Sequence, residues 1–271
     1  MLNKPLILHE EDGVQKVMTP NYVQGKLASF GLKYLQPRGY FNDNVCMDEE
    51  GYIPWFSYPS IDFVKQIINR NTKVLEYGSG YSTLFWKKHC GMICSIEHDK
   101  AWAEKMNAVD STLKINVVQK NEGMSETTHQ YLQSFIAENF HIPRSQYPDH
   151  DEKHGLMLEE YISYAGKIFD FPKGTFDVVV VDGMARTLCG YFAAQYINDN
   201  PDGYIILDNS ERWHYNSLHT YLIKNGFGRI DFFGPSFMSN EGHCTSIFSR
   251  RFRVCDITDI ERPVTDGLIT V

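Results

Sequence analysis

Residues 73–82 read KVLEYGSGYS, and this stretch decides the fold. Its first half, 73–77, is predicted to be a β-strand, and a helix is predicted over 82–89. Gly78 and Gly80 fall in the turn between them, where glycine permits a tight bend and a close approach of the backbone to a ligand. A strand, a glycine turn and a helix in this order indicate an α/β sheet that binds a ligand at its strand ends.

The same alternation continues along the chain. Further strands are predicted at 92–97, 115–119, 177–182 and 204–208, and helices at 61–69, 100–109, 185–197 and 217–225. Within DVVVVD at 177–182, the four valines form an unbroken apolar run, as in a strand buried on both faces. Segments 228–233 and 244–248 are expected to close the sheet as an antiparallel pair. The predicted fold is a Rossmann-like, doubly wound α/β sheet of seven mostly parallel strands, with an antiparallel terminal strand and helices on both faces.

Composition indicates one large core. The chain has 271 residues, of which 42% are hydrophobic, and this is too short for two full domains of ordinary size. We expect an N-terminal extension over 1–57 that packs on the core, a main domain over 58–255 and a C-terminal tail over 256–271. A polar stretch at about 121–173 is longer than a crossover helix needs and is interpreted as an insertion, either a lid or a substrate-recognition loop.

Charge and apolar patterning exclude several classes of function. The net charge of −8 argues against non-specific binding to nucleic acid, which requires basic surface. No apolar run reaches the roughly 18 residues of a membrane span, and the N-terminus does not resemble a signal peptide. The six cysteines are scattered without paired spacing, which favours free thiols in the cytoplasm. The sequence does not indicate an oligomeric state.

Acidic residues end the first two strands. Glu97 is the last residue of strand 92–97 and lies 17 residues after Gly80, the position from which a carboxylate accepts the ribose hydroxyls of an adenosine. Thr83 replaces the third glycine of the dinucleotide fingerprint, which counts against NAD. Glu76 is expected beside a cation, such as the amino group of S-adenosylmethionine (SAM), directly or through water. His98 either lines an adenine pocket or begins the next helix.

Oxygen ligands end the two strands that follow. Asp182 comes after DVVVV, and Asp208 and Asn209 come after YIIL. Neighbouring parallel strands would bring these three side chains together, and hard oxygen ligands with open positions suit Mg²⁺. The alternative is that Asp208-Asn209 caps the next helix and Asp182 holds its loop. The sequence is consistent with both the Mg²⁺ site and the helix cap.

Four segments together resemble the class I SAM-dependent methyltransferases. VLEYGSGYST is similar to their glycine motif, SIEHD to their acidic motif, FDVVVVDG to the motif of the fourth strand and GYIILDN to that of the fifth. The resemblance covers about residues 58–250 and implies SAM as the cofactor. It places Glu97 on the ribose, and the other residues bordering SAM would be Glu76, Tyr77, Gly78, Ser79, Gly80, Ser82, His98 and Asp182. The set Asp182, Asp208 and Asn209 is similar to the metal triad of catechol and caffeoyl-CoA O-methyltransferases.

The resemblance implies direct transfer of the SAM methyl group to a small-molecule or sugar acceptor, and a hydroxyl oxygen is the favoured target. A general base is required if the acceptor arrives protonated, and the candidates are Asp182, Glu211 and His214. Two alternatives remain: aminopropyl transfer on the same fold, and a SAM- or nucleoside-binding module without catalysis.

Overall fold

The structure is a computed structural model that describes residues 7–11, 14–18, 46–48, 50–119, 161–197, 202–212, 215–234, 236–237 and 243–252, with single helical positions at 126, 130 and 134. Two short antiparallel hairpins precede the main fold. The first pairs β1 (Ile7–Glu11) with β2 (Val14–Met18), and the second pairs β3 (Met47–Asp48) with β4 (Gly51–Tyr52).

The central sheet has seven strands. They are β5 (Lys73–Tyr77), β6 (Met92–Glu97), β7 (Ile115–Val117), β8 (Val178–Val181), β9 (Tyr204–Leu207), β10 (Gly228–Gly234) and β11 (His243–Ser249). Their spatial order is β10-β11-β9-β8-β5-β6-β7. Five strands that are adjacent in space, β9-β8-β5-β6-β7, are parallel to one another, and β11 is antiparallel to both of its neighbours. The predicted mostly parallel sheet is confirmed, although the antiparallel strand, which is last in the chain, lies one place inside the edge.

Helices cover both faces of this sheet. On one face lie α1 (Tyr58–Ile67), α2 (Tyr81–His89) and α3 (Lys100–Val109). On the other face lie α4 (Ile162–Ala165), which continues as a 3₁₀ turn over Gly166–Asp170, and then α5 (Arg186–Tyr196) and α6 (Asn216–Lys224). This confirms the doubly wound, Rossmann-like arrangement. Within the described ranges, no helix combines the length and the apolar character needed to cross a bilayer.

Strand side chains alternate between the two cores. In β8, Val179 and Val181 pack with α4, α5 and α6, while Val178 and Val180 pack with α1 and α2. All four valines are 0–1% exposed, as expected for a parallel strand covered on both faces. The same alternation directs Tyr77 toward α4 and Glu76 toward α2, because successive side chains of a strand point to opposite faces.

Two described segments from the predicted extension and insertion belong to these cores. Ile53 and Phe56, from the end of 1–57, are buried against the α2 face. Ile162 and Ile168, from the end of 121–173, are buried against the α5 face. Apart from the three single helical positions, residues 120–160 lie outside the described part of the chain, as does the predicted tail over 256–271.

The chain order creates a switch point between β5 and β8. From β5 the chain moves outward to β6 and β7, and it then returns to β8 and β9 on the opposite side of β5. In open α/β sheets ligands bind at such a point, in the crevice outside the carboxyl ends of the strands. A ligand site is therefore expected at this edge of the sheet.

Candidate functional site

The turn after β5 forms the floor of the crevice. Gly78 has a φ of +93°, which side chains rarely adopt. A Cβ on Gly78 would lie 2.8 Å from the Cα of Gly183, the second residue after β8. A Cβ on Gly183 would in turn overlap the hydroxyl of Tyr164. The loops that follow β5 and β8 thus meet backbone to backbone, and this contact requires glycine on both sides.

The three amides of the turn are all engaged by acceptors of the protein. Gly78 N donates to Ile96 O at 2.8 Å, Ser79 N donates to Glu97 Oε2 at 2.8 Å, and Gly80 N donates to Thr83 Oγ1 at 3.0 Å. A bound pyrophosphate is held by free amides of this kind at the start of a helix. With these amides engaged, the turn is not arranged as a phosphate cradle.

Glu97 lies beside the turn, as the sequence predicted for adjacent strand ends. Its side chain is buried and accepts hydrogen bonds from Ser79, from the backbone N–H of His98 and from that of Asp99. Burial alone would raise the pKa of this carboxyl, but these hydrogen bonds and the neighbouring His98 imidazole hold the pKa below its ordinary value. Glu97 is therefore an ionised acceptor at the tip of β6.

Glu76 occupies a different place from the predicted one beside the SAM amino group. Its side chain is 0% exposed, on the α2 face, and accepts hydrogen bonds from Thr83, Ser95 and Trp86 at 2.6, 2.8 and 3.1 Å. Burial raises the pKa of Glu76 to about 7, against the opposing effect of these hydrogen bonds. Because Thr83 Oγ1 also accepts from Gly80 N, Glu76 supports the glycine turn from below.

The remaining predicted cofactor residues divide between core and crevice. Tyr77 is fully buried on the opposite face and donates its hydroxyl to Ala165 O at 2.6 Å, so it acts as a core residue. Ser82 is buried in the first turn of α2. His98 is 33% exposed at its side chain and contacts the edges of the Tyr161 and Tyr164 rings. Of these three residues, His98 alone borders solvent.

A guanidinium stands where the sequence suggested a metal ion. Arg186, which is buried at the start of α5, forms an ion pair with Asp182 Oδ1 at 2.9 Å and donates to Asn209 Oδ1 at 3.1 Å. It also donates to the carbonyl oxygens of Asp182, Gly183 and Asp208 at 2.9, 3.0 and 2.7 Å. Four of the five N–H donors of the side chain thereby make hydrogen bonds, and the ion pair with Asp182 balances its charge.

The predicted Mg²⁺ site is not supported by this arrangement. Asp182 and Asn209 are already bound to a permanent cation, and Asp208 accepts the hydroxyl of Thr245 at 2.7 Å. Among the residues with described positions, no group of three His, Cys, Asp or Glu side chains is arranged to hold a metal ion. The helix-cap alternative is not observed either, because α6 begins after Tyr215 without a side-chain cap.

Two further candidates for catalysis were Glu211 and His214. Glu211 Oε2 accepts the backbone N–H of Cys244 at 2.9 Å, which ties the segment after β9 to β11. His214 lies outside the described residues. Asp182, with 21% of its side chain exposed, remains the candidate that lies at the switch point itself.

Sequence reasoning missed Arg186 and Thr83. Arg186 follows Asp182 by four residues, and opposite charges at that spacing commonly pair at a helix start. The sequence pattern indicates Thr83 only as the residue in place of a third glycine, although a threonine in the first turn of a helix can accept the backbone N–H of the residue before the helix, as Thr83 does from Gly80.

No protein-family model matches the sequence, and no curated protein matches it either. Among solved structures, the chain is similar to a methyltransferase-like protein from Silicibacter pomeroyi, with 19% identity over 72% of this chain and 87% of that one, at a TM-score of 0.41. A precorrin-6y C5,15-methyltransferase from Geobacter metallireducens has 10% identity over 75% and 95% of the two chains, at 0.41. A spermidine synthase from Thermotoga maritima has 10% identity over 69% and 55%, at 0.40. At these TM-scores the likenesses carry no argument about activity.

Proposed function

We propose that this chain is a SAM-dependent methyltransferase that binds the adenosyl group at the carboxyl ends of β5 and β6. The observation that carries the proposal is the contact between Ser79, in the glycine turn, and the Glu97 carboxylate at 2.8 Å. It joins a turn that approaches ligands closely to an acidic strand end suited to ribose hydroxyls, beside the switch point.

The engaged amides favour a nucleoside ligand over a dinucleotide. NAD would require Gly78, Ser79 and Gly80 to give up their amide hydrogen bonds to the protein in order to hold a pyrophosphate. SAM has no phosphate, so its binding leaves these bonds in place. This supports SAM against a nicotinamide cofactor.

The described residues fit SAM in the following way. The backbone of the turn at 78–80 would lie along the adenosyl group, Glu97 would accept its ribose hydroxyls, and His98 would stand at the side of the base. When bound, SAM supplies a methyl group activated by its sulfonium charge. The protein must then align the acceptor with that methyl group and exclude water.

We further propose a hydroxyl oxygen on a small molecule or sugar as the acceptor. Such an acceptor arrives protonated and needs a hydrogen-bond acceptor to orient it and receive its proton. Asp182 meets this need, because Arg186 fixes its carboxylate and 21% of its side chain is exposed. The proposal therefore includes metal-independent transfer, with the Arg186 guanidinium in the place of a metal ion.

We also propose a cytoplasmic location. The five cysteines in the described ranges are buried free thiols, as is usual for proteins of a reducing compartment. The net charge of −8 agrees with a small-molecule partner rather than nucleic acid.

Calorimetry tests the binding step directly. The purified chain is titrated with S-adenosylhomocysteine, SAM, decarboxylated SAM and NAD⁺. We expect binding of the first two and none of NAD⁺; the opposite preference would reject the proposal, and a preference for decarboxylated SAM would favour aminopropyl transfer.

Catalysis is then tested by following the formation of S-adenosylhomocysteine over a panel of hydroxylated acceptors, with amines as controls and with excess EDTA. Turnover of a hydroxyl acceptor in EDTA is the expected result. Binding of SAM without turnover of any acceptor would favour a non-catalytic binding module.

A further inference from the structure

One peptide group of the glycine turn is held from both of its sides. The Ser79 carbonyl accepts the indole Nε1–H of Trp102 at 2.7 Å. The Gly80 amide, which belongs to the same peptide group, donates to Thr83 Oγ1 at 3.0 Å. Because a trans peptide group is planar, its carbonyl and its amide point in opposite directions. Two side chains from two helices, Trp102 of α3 and Thr83 of α2, therefore fix the plane of the Ser79–Gly80 peptide.

The glycines of the turn make such a restraint necessary. Gly78 and Gly80 allow the backbone to approach a ligand closely, but glycine has more conformational freedom than any other residue. The peptide groups of a turn with two glycines can rotate readily unless other groups hold them. A binding surface that is ordered in advance raises affinity, because the ligand does not have to order it. A hydrogen bond to the Ser79–Gly80 peptide from outside the turn can therefore affect binding.

Trp102 is a suitable donor because its own position is fixed. The helix α3 begins beside the turn, where Asp99 caps it and accepts the backbone N–H of Trp102 at 3.1 Å. The backbone N–H of Asp99 donates in turn to Glu97, the same carboxylate that accepts the Ser79 amide. The indole is partly buried against the core on the α2 face, and Lys105 Nζ lies 4.8 Å from the ring centroid. These contacts hold the indole N–H in line with the Ser79 carbonyl.

We infer that Trp102 is a positioning residue of the adenosyl site, whose indole N–H holds the Ser79–Gly80 peptide in the orientation that the ligand meets. This inference rests on the proposed function, since the backbone of the turn would lie along the adenosyl group. Trp102 acts through the Ser79 carbonyl, so its contribution to affinity is the order that it gives to the turn.

The variant Trp102→Phe tests this role, because phenylalanine keeps an aromatic ring but has no N–H group. In calorimetry we expect Trp102→Phe to bind S-adenosylhomocysteine about three- to tenfold more weakly than the unchanged chain, the size of one hydrogen bond. Trp55→Phe is the matched control. Trp55 is 40% exposed in the segment before α1, and Trp55→Phe is expected to keep the affinity of the unchanged chain.

Amide hydrogen exchange, followed by NMR without ligand, provides a readout that a merely structural role for Trp102 would not move. In Trp102→Phe the Gly80 amide should exchange about three- to tenfold faster, because its peptide group has lost one of two restraints. The Gly78 amide, which donates to Ile96 O at 2.8 Å, should exchange at its unchanged rate.

Thr83 tests the same peptide group from its other side. Thr83→Val removes the hydroxyl that accepts the Gly80 amide and should also weaken the binding of S-adenosylhomocysteine. Thr83→Ser keeps a hydroxyl at this place and should bind as the unchanged chain does. Thermal unfolding confirms that each variant is folded, and Trp102→Leu replaces Trp102→Phe if the latter is not.

The outcomes separate the two proposals. If the unchanged chain binds S-adenosylhomocysteine and either Trp102→Phe or Thr83→Val binds it equally well, the inference is overturned while the proposed function stands. If the Gly78 and Gly80 amides of Trp102→Phe exchange faster by the same factor, Trp102 contributes only to general stability, and the inference is again overturned. If the unchanged chain binds no adenosyl ligand, the proposed function fails and the inference fails with it.

Discussion

Replacement of Arg186 by methionine is the most informative perturbation of the crevice. The guanidinium joins the end of β8, through Asp182 and Gly183, to the end of β9, through Asp208 and Asn209. Methionine retains most of the aliphatic stem at the start of α5, but it removes the charge and all five donors.

The expected loss of unfolding free energy follows from the polar groups that Arg186→Met leaves without their partner. Loss of one partner of a buried ion pair typically costs about 3–5 kcal/mol, because the other charge stays buried without compensation. The side chain of Asp182 is 21% exposed, so water recovers part of its hydration, while the carbonyl oxygens of Gly183 and Asp208 lose a donor each. For a domain of roughly 150–250 residues, each kcal/mol lowers the melting temperature by about 2–4 °C. A fall of about 6–20 °C is expected for Arg186→Met.

Two control variants separate the effect of the buried Arg186 contacts from the effect of losing an arginine in general. Arg251 forms an ion pair with Asp202 at 2.9 Å, but the two side chains are 63% and 72% exposed. Arg251→Met is therefore expected to cost less than about 1 kcal/mol. Arg186→Lys keeps the charge but has three donors in place of five, and its stability is expected to lie between those of Arg186→Met and the unchanged chain.

Urea unfolding at neutral pH gives the free energies, and calorimetric scans give the melting temperatures. If Arg186→Met and Arg251→Met lose equal stability, the view of Arg186 as the resident cation of the crevice is refuted. If Arg186→Lys is as stable as the unchanged chain, charge alone accounts for the effect and the five-donor geometry does not matter.

Three other predictions concern the turn and its supports. Burial raises the pKa of Glu76 to about 7, above its unfolded value, so ionisation of Glu76 opposes folding as the pH rises. Between pH 5 and 8 the unchanged chain should lose about 2–3 kcal/mol of unfolding free energy relative to Glu76→Gln. Urea unfolding that gives the two proteins the same pH dependence would contradict this. Gly78→Ala should abolish S-adenosylhomocysteine binding in calorimetry and lower the melting temperature, since its Cβ would meet backbone at 2.8 Å, whereas Gly80→Ala meets only a side-chain oxygen at 3.7 Å and should fold normally. Excess EDTA should leave the melting temperature and this affinity unchanged, because Arg186 supplies the positive charge at Asp182; a loss of either would restore the metal hypothesis.

The sheet could be predicted from the sequence because its strands carry strong local signals. Strands 73–77 and 92–97 have the predicted bounds, and the run at 177–182 shortens only to Val178–Val181. Parallel strands covered on both faces are apolar throughout, and glycine turns mark their ends. By contrast, the core helix Ile162–Ala165 fell inside the predicted insertion, because four residues are too few to show a helical period.

The positions of the site residues were predictable, but their partners were not. The sequence placed Glu97 and Asp182 at strand ends, and they lie at the ends of β6 and β8, on either side of β5. Whether a carboxylate meets a metal, a ligand or an arginine depends on side chains that approach from other elements. The Arg186 contact joins two strand ends at once, and Glu76 is buried because α2 covers that face of β5.

The crevice thus presents carboxylates that are already paired: Glu97 with Ser79 and with the backbone N–H groups of His98 and Asp99, and Asp182 with Arg186. Binding a polar ligand at such a site exchanges hydrogen bonds rather than adding them. The net gain in binding free energy per contact is therefore the difference between the new hydrogen bond and the internal one that it replaces. Affinity should then depend on how cheaply each internal contact is released. The Asp182–Arg186 pair is expensive to release because its cation is buried.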